Sequence, residues 1–368
     1  MINHRVIGPA SFAFVLATAL ACPLAQASDS ANSPIRECVG RSEFALPGNA
    51  EAALYPLEVV ARLAKPPALL VEATFDDGQI AGYTGWQYRG DLYVTRPIAS
   101  AQVADLLHKF SELRQNSRAY AARKNLNDMG MPQPFEALSA NAQSLAWRLG
   151  SSYRGIWNLS GVILHWSSTY GPGTDAPNAQ AYQWILGAVP RASFEIPAGP
   201  GVCLPSLFIP DDGKVERSIA STYRLKQHPD VTVWVQDSGS EEPSPTAKLG
   251  HPQQSIKDND FFWAQNYQDR IGVRSLWSLP HPIEMRGVLG TASFVELMRK
   301  DGTIDYGYFA SSWGSPDSAV GATQIKMFVI RDAKVAKAKG ITPVDREALL
   351  DMAESVLHSI KARGNAHP

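Results

Sequence analysis

The chain has 368 residues, 45% of them apolar, and 34 Lys and Arg against 35 Asp and Glu give a formal net charge of -1. These charges are dispersed, so there is no basic stripe of the kind a nucleic-acid surface needs. Beyond the first 27 residues no apolar run reaches the ~18 residues of a membrane span, and the roughly 340 residues that remain suit about two domains, each burying its own core.

The opening MINHRVIGPASFAFVLATALACPLAQA has Arg5 in a short basic start, an apolar core from Val6 to Ala21, and small residues at Ala25 and Ala27. That is the three-part pattern of a secretory signal, with cleavage expected after Ala27. The polar SDSANS that follows fits a cleaved terminus better than a stop-transfer anchor. A lipoprotein is the alternative, because ALAC ends in Cys22, yet Ala19 stands where such boxes carry leucine and Pro23 follows the cysteine. The expected address is a bacterial periplasm and the expected mature form is soluble. Cleavage leaves Cys38 and Cys203. In an oxidising compartment these either pair, tying the two halves together, or remain two buried thiols that pack as small hydrophobes.

The first half, 28–192, opens with ECVGRSEFALPG and reads as strands followed by a helical stretch. Asp77-Gly78 ends LLVEATFDDG and Gly90-Asp91 divides WQYRGDLYVTR, both hairpin signals. Ser100 is the expected cap of a helix whose Val103, Leu106, Leu107, Phe110 and Leu113 share one face. A short helix is expected over Asn141 to Leu149, and strands over GVILHWSSTYG and AYQWILGAV. The Pro197, Gly199, Pro200, Gly201 cluster marks a boundary, and the second half is taken as 193–368.

That half opens with GVCLPSLFIPDDG and continues through RSIASTYRLK to VTVWVQDS, where Val231, Val233 and Val235 alternate with Thr232, Trp234 and Gln236 as on a two-faced strand. SGSEEPSPTAK reads as an exposed loop. Asp301-Gly302 sits between strand-like runs, TQIKMFVIRD adds a strand, and a closing helix is expected with Thr342 as cap, Pro343 in its first turn, and Leu349, Met352, Ala353, Val356, Leu357 and Ile360 on one face. The expected class is α+β: two domains, each a mainly antiparallel sheet backed by helices.

No catalytic constellation is legible. A G-x-S-x-G elbow, which would strain a serine at a strand-to-helix turn, is missing. The histidines at 108, 165, 228, 251, 281 and 358 lack the helical-turn spacing of a metal pair. Asp76-Asp77 and Asp211-Asp212 each precede glycine, where acids favour tight turns over paired-carboxylate chemistry. Catalytic residues, cofactors and metals are therefore assigned as none. Phe261, Phe262, Trp263 and Tyr267 in DNDFFWAQNYQDR either form core or anchor a partner, and the acidic Glu241 and Glu242 either are solvated or steer one.

ECVGRSEFALPG, followed by GVCLPSLFIPDDG and YRLKQHPDVTVWVQDS, resembles the type VI secretion lipase-immunity family, periplasmic proteins that neutralise phospholipase effectors. Cys38, Gly40 and Arg41 carry the first motif; Cys203, Pro205, Ile209, His228, Pro229 and Asp230 carry the second. The resemblance implies N- and C-terminal immunity domains, no catalysis, and a cognate phospholipase or lipase toxin as the partner, gripped and kept from lipid. The readings that compete with it are an exported hydrolase with an unrecognised site and a periplasmic solute-binding or envelope protein.

Overall fold

The structure is a computed structural model and describes residues 33–65, 72–123, 134–168, 171, 173–240, 252–266, 270–313 and 322–363. The segment 1–27 expected to be an export signal, with Cys22, and Glu241, Glu242 and Tyr267, lie outside these residues.

In the first half, β1 (Ile35–Val39) and β2 (Ser42–Leu46) form a hairpin that turns at Gly40, whose φ of +58° suits glycine. Next come β3 (Ala50–Ala52), helix α1 (Leu57–Arg62), and a small hairpin of β4 (Ala73–Thr74) and β5 (Ile80–Ala81) closing through Asp77-Gly78. β6 (Gly85–Tyr88) and β7 (Gly90–Val94) pair around Arg89-Gly90. Helix α2 (Ser100–Arg123) buries Val103, Leu106, Phe110 and Leu113 on the predicted face. Its start corrects the expected cap: Ser100 is already helical, the Ala99 carbonyl accepts from Gln102 and Val103, and the Gln102 side chain accepts the Ala99 N–H.

β8 (Phe135–Ala140), β9 (Ser144–Leu149), β10 (Ser152–Leu159) and β11 (Val162–Ser168) form a meander, and helix α3 (Asp175–Leu186) follows. Two expectations are overturned here. Asn141 to Leu149 is a turn and a strand, because the Asn141 carboxamide oxygen accepts from Gln143 and Ser144 N–H, both at 2.8 Å, and β9 then pairs on both sides. AYQWILGAV is mostly helix, because Asn178, Ala181, Tyr182 and Ile185 recur at three-to-four spacing and are all buried.

β12 (Val189–Pro190), at the end of the first half, joins β13 (Gly201–Leu204) and β14 (Leu207–Pro210) of the second in a separate three-stranded sheet. β15 (Arg217–Leu225) and β16 (Val231–Ser240) pair along their length, and helix α4 (Pro252–Asn266) follows. β17 (Arg270–Ser275), β18 (His281–Met285), β19 (Val288–Arg299), β20 (Ile304–Trp313) and β21 (Ala322–Arg331) complete the strands before the last helices. Asp301-Gly302 does turn β19 into β20. Helix α5 (Ala333–Lys339), capped by Asp332, was not expected. The closing helix α6 (Arg346–Ser359) starts later than expected, since the Asp345 carboxylate, not Thr342, accepts the Ala348 N–H at 2.8 Å. β22 (Lys361–Ala362) then joins β2.

Fourteen of the described strands form one antiparallel sheet, ordered β17, β19, β20, β21, β16, β15, β6, β7, β11, β10, β9, β8, with β18 beside β19 and β3 beside β15. The two halves share this sheet: β15 of the second pairs with β6 of the first, Ile219 against Trp86 and Ser218 against Gln87. Strand alternation gives it two unlike faces. On one face Trp166, Leu92, Trp86, Ile219, Asp237 and Ile325 stand in register and are all buried, under the β1–β2 hairpin, α3 and α6. One residue along, Ser167, Asp91, Gln87, Ser218, Ser238 and Gln324 line up on the other face.

Candidate functional site

The motif residues converge where the N-terminal hairpin meets the second half. Gly40 and Cys203 exchange both backbone hydrogen bonds, at 2.9 and 2.8 Å. Beside this bridge Cys38 and Cys203 form a disulfide with their Cα atoms 5.7 Å apart, both side chains fully buried. Gly40 is required by space as well as by φ, because a Cβ there would lie 2.7 Å from the Cβ of Asp237.

Charges from both halves close the seam. Asp237 accepts the Arg41 N–H at 2.8 Å and the Ser42 hydroxyl at 2.7 Å, pairs with Arg217, and lies 3.3 Å from Arg286 Nη1. Burial works to raise its carboxyl, but Arg217 and Arg286, with these donors, hold it below the usual range. Burial takes Arg217 down to about 10 against the pull of Asp237, and neighbouring Arg41 and Arg286 add to the effect. The Arg41 guanidinium meets Asp211 at 2.6 Å, and the Tyr88 hydroxyl donates to the same carboxylate at 3.0 Å. Glu37, its carboxyl raised by burial, pairs with Arg191, whose Nε donates to the Leu204 carbonyl at 2.7 Å. Each acid is committed to cations inside the fold. The chemistry on offer is cohesion between the two halves.

The remaining motif positions are also framework. Pro205 lies in the turn between β13 and β14, and Ile209 is buried on β14. His228 and Pro229 shape the turn into β16, with the His228 carbonyl accepting the Val231 N–H at 2.8 Å. Buried Asp230 docks the last helices: its carbonyl accepts the Asp332 N–H at 2.8 Å and its carboxylate the Val344 N–H at 3.0 Å. Of the two aromatic candidates for partner contact, Phe261 is 65% exposed. Trp263 is buried in the small core between α4 and the sheet and donates to Ser293 at 2.8 Å.

Arg217, Asp237 and Arg286 did not stand out in the sequence. A sign of Asp237 was present, since it continues the buried phase of Val231, Val233 and Val235, where an acid persists only if paired. Among the described residues no group of three or more His, Cys, Asp or Glu is placed to hold a metal ion, and no helix is long and apolar enough to cross a membrane.

Residues 195–365 match the family model of the Tle cognate immunity protein 4 C-terminal domain. No curated protein matches the sequence. Among solved structures, immunity protein TplEi of the type VI secretion system from Pseudomonas aeruginosa, complexed with "L" peptide, is similar with a TM-score of 0.54 at 14% identity, covering 91% of this chain and 99% of that one. The apo form of TplEi gives 0.53 at 14% identity, with 90% and 97% covered. The Tle4-Tli4 complex gives 0.52, again at 14% identity and with 90% and 97% covered. At this identity the structural likeness speaks for the fold, and the family model speaks for the C-terminal half. Residues 195–365 thus carry a Tle cognate immunity protein 4 C-terminal domain, and the chain as a whole has the fold of the type VI secretion immunity proteins it resembles.

Proposed function

We propose that this protein is a periplasmic immunity protein that binds and inhibits a cognate type VI secreted phospholipase, protecting the cell that makes it. The family match over residues 195–365 carries this reading. The similar Tli4 chain is found in a complex with Tle4. A cross-braced frame supports the reading physically, since a stoichiometric inhibitor gains affinity from a surface that needs no ordering on binding. The protein acts without chemistry of its own. Residues 28–192 and 193–368 serve as N- and C-terminal immunity units, Phe261 contributes to the contact surface, and Glu241 and Glu242 steer the partner.

Export belongs to the mechanism. Residues 1–27 direct the chain to the periplasm, where it meets the effector, and Cys22 is discarded with them. The test is periplasmic co-expression with a type VI secreted phospholipase effector of the same cell, together with a lipase assay on the purified pair. Full-length protein restores growth and abolishes lipid hydrolysis at a 1:1 ratio, on the order of the nanomolar affinities of tight complexes. A chain lacking residues 1–27 inhibits in the tube but does not protect. Undiminished hydrolysis with the purified full-length protein overturns the proposal.

A further inference from the structure

Helices α2 and α4 rest on the same face of the large sheet and leave a gap between them. The α4 residue Asp258 pairs with Lys326 at 3.0 Å and accepts from Gln324 at 3.1 Å, and Gln324 belongs to the polar register row that includes Ser238 and Ser218. Phe110 of α2 packs 5.0 Å from His165, which shares its side of β11 with Ser167 of that row. α4 lies mainly on β19 and β20, and α2 on β8, β9 and β10. Between them, among the described residues, the row from Ser238 through Ser218 and Gln87 to Asp91 is not buried, whereas Ala220 and Trp234 farther along the same face are covered by the α4 core. Across β16, β15, β6 and β7 this leaves a trough about 15 Å wide at sheet spacing, enough for one helix or extended segment.

Its floor is Asp91, Gln87, Ser218, Gln236 and Ser238, none of them buried. Ser218 and Ser238 hydroxyls are 2.9 Å apart, and Gln236 donates to Ser218 at 2.8 Å. Phe261 overhangs from the α4 side, one turn beyond Asp258. Tyr83, 40% exposed and held at φ +69°, packs 5.4 Å from Phe328 beneath α4. Around the floor Arg89 is matched with Glu216 and Lys326 with Asp258. The row passes through Ser167 to half-buried Arg154 on the α2 side. Asp91 is exposed and, among the described residues, has no cation within ion-pair distance, so the open floor presents a negative charge.

We infer that this trough seats a polypeptide segment of the effector, one that sets a lysine or arginine over Asp91 and an apolar side chain against Phe261 and Tyr83. The assignment rests on the proposed function and adds where the partner lies and what it presents. An exposed aromatic beside a polar, hydrogen-bonded floor matches the anchor-and-rim pattern of protein interfaces.

The test uses the mature protein with Asp91→Lys, Ser218→Arg and Phe261→Asp, and Leu279→Asp as a control at the 75% exposed Leu279 outside the trough. Affinity for the purified phospholipase is read by calorimetry, and melting temperatures confirm folding. Each trough variant that melts like the parent binds at least about tenfold more weakly, and the control binds as the parent does. Tight binding by the parent with trough variants inside twofold of it overturns the trough and leaves the proposed function standing. No binding by the parent overturns both. Light scattering of the protein alone gives a monomer; a dimer dispersed by the same three substitutions would make the trough a self-interface and overturn the assignment.

Discussion

Asp237 accepts the backbone N–H of Arg41 at 2.8 Å, joining positions 196 residues apart in the chain. One carboxylate thereby holds the N-terminal hairpin against the longest strand pair of the second half. It also sits between two buried guanidinium groups, Arg217 and Arg286. Removing the charge leaves both without their counter-ion.

Asp237→Asn should therefore destabilise far more than an ordinary isosteric change, by about 3–5 kcal/mol, the cost of breaking a buried ion pair from one side. Gly40→Ala should also destabilise, because its methyl meets the Asp237 side chain while φ stays left-handed. Urea unfolding followed by tryptophan fluorescence measures both. A midpoint for Asp237→Asn within error of the parent would show that the seam is not held by this charge.

The Cys38–Cys203 bond closes a loop of 165 residues. A cross-link of that span limits the unfolded ensemble and contributes about 2–5 kcal/mol. The double variant Cys38→Ser, Cys203→Ser should lose that amount but stay folded at room temperature, since the Gly40 and Cys203 backbone bonds and the Arg41–Asp211 pair remain. Guanidinium titrations of the variant and of the reduced parent should coincide. If reduction leaves the parent's midpoint unmoved, the bond carries none of the seam's stability.

Local pattern was legible where one interaction dominates. The Asp77-Gly78 and Asp301-Gly302 turns, the buried stripe of α2 and the alternation of β16 follow from neighbours within a few residues. AYQWILGAV misled because its aromatic and β-branched content suits a buried strand, whereas its three-to-four spacing decides for helix only with the residues before it. Asn141 to Leu149 misled because a strand paired on both sides need not alternate cleanly. The sharing of one sheet by both halves was not legible, since the pairing of β15 with β6 is a long-range choice. Nor was the open trough, whose Asp91, Ser218 and Ser238 come together only through that register.

His165 should make the protein acid-sensitive. Burial, with the nearby Arg154 charge added, takes its imidazole down to about 3, against about 6.5 in an unfolded chain. The folded state thus keeps it neutral while the unfolded state takes up a proton, so its contribution is complete above about pH 6.5 and is lost as pH falls toward 3. The slope approaches about 1.4 kcal/mol per pH unit in that window. His165→Leu removes two buried ring nitrogens that have no hydrogen-bond partner among the described residues and should flatten the curve, gaining on the parent at pH 4.5 relative to pH 7.5. Parallel stability curves for the two proteins across that range would rule this out.

Phe261 and Trp263 are two residues apart on α4 and should fail in different assays. The Trp263 ring lies over Gly307, where an added Cβ would come within 2.5 Å of it, and its indole N–H is satisfied by Ser293. Trp263→Ala therefore opens a cavity and removes the indole N–H bond to Ser293, costing about 3–5 kcal/mol of folding stability. Phe261, 65% exposed, leaves no cavity when truncated, so Phe261→Ala should change stability by no more than about 0.5 kcal/mol. It should instead weaken inhibition of the phospholipase. Thermal melts beside inhibition curves separate the two roles: a Phe261→Ala protein that melts and inhibits like the parent would remove Phe261 from the contact surface, and a Trp263→Ala protein with an unchanged melt would contradict the packing of α4 on the sheet.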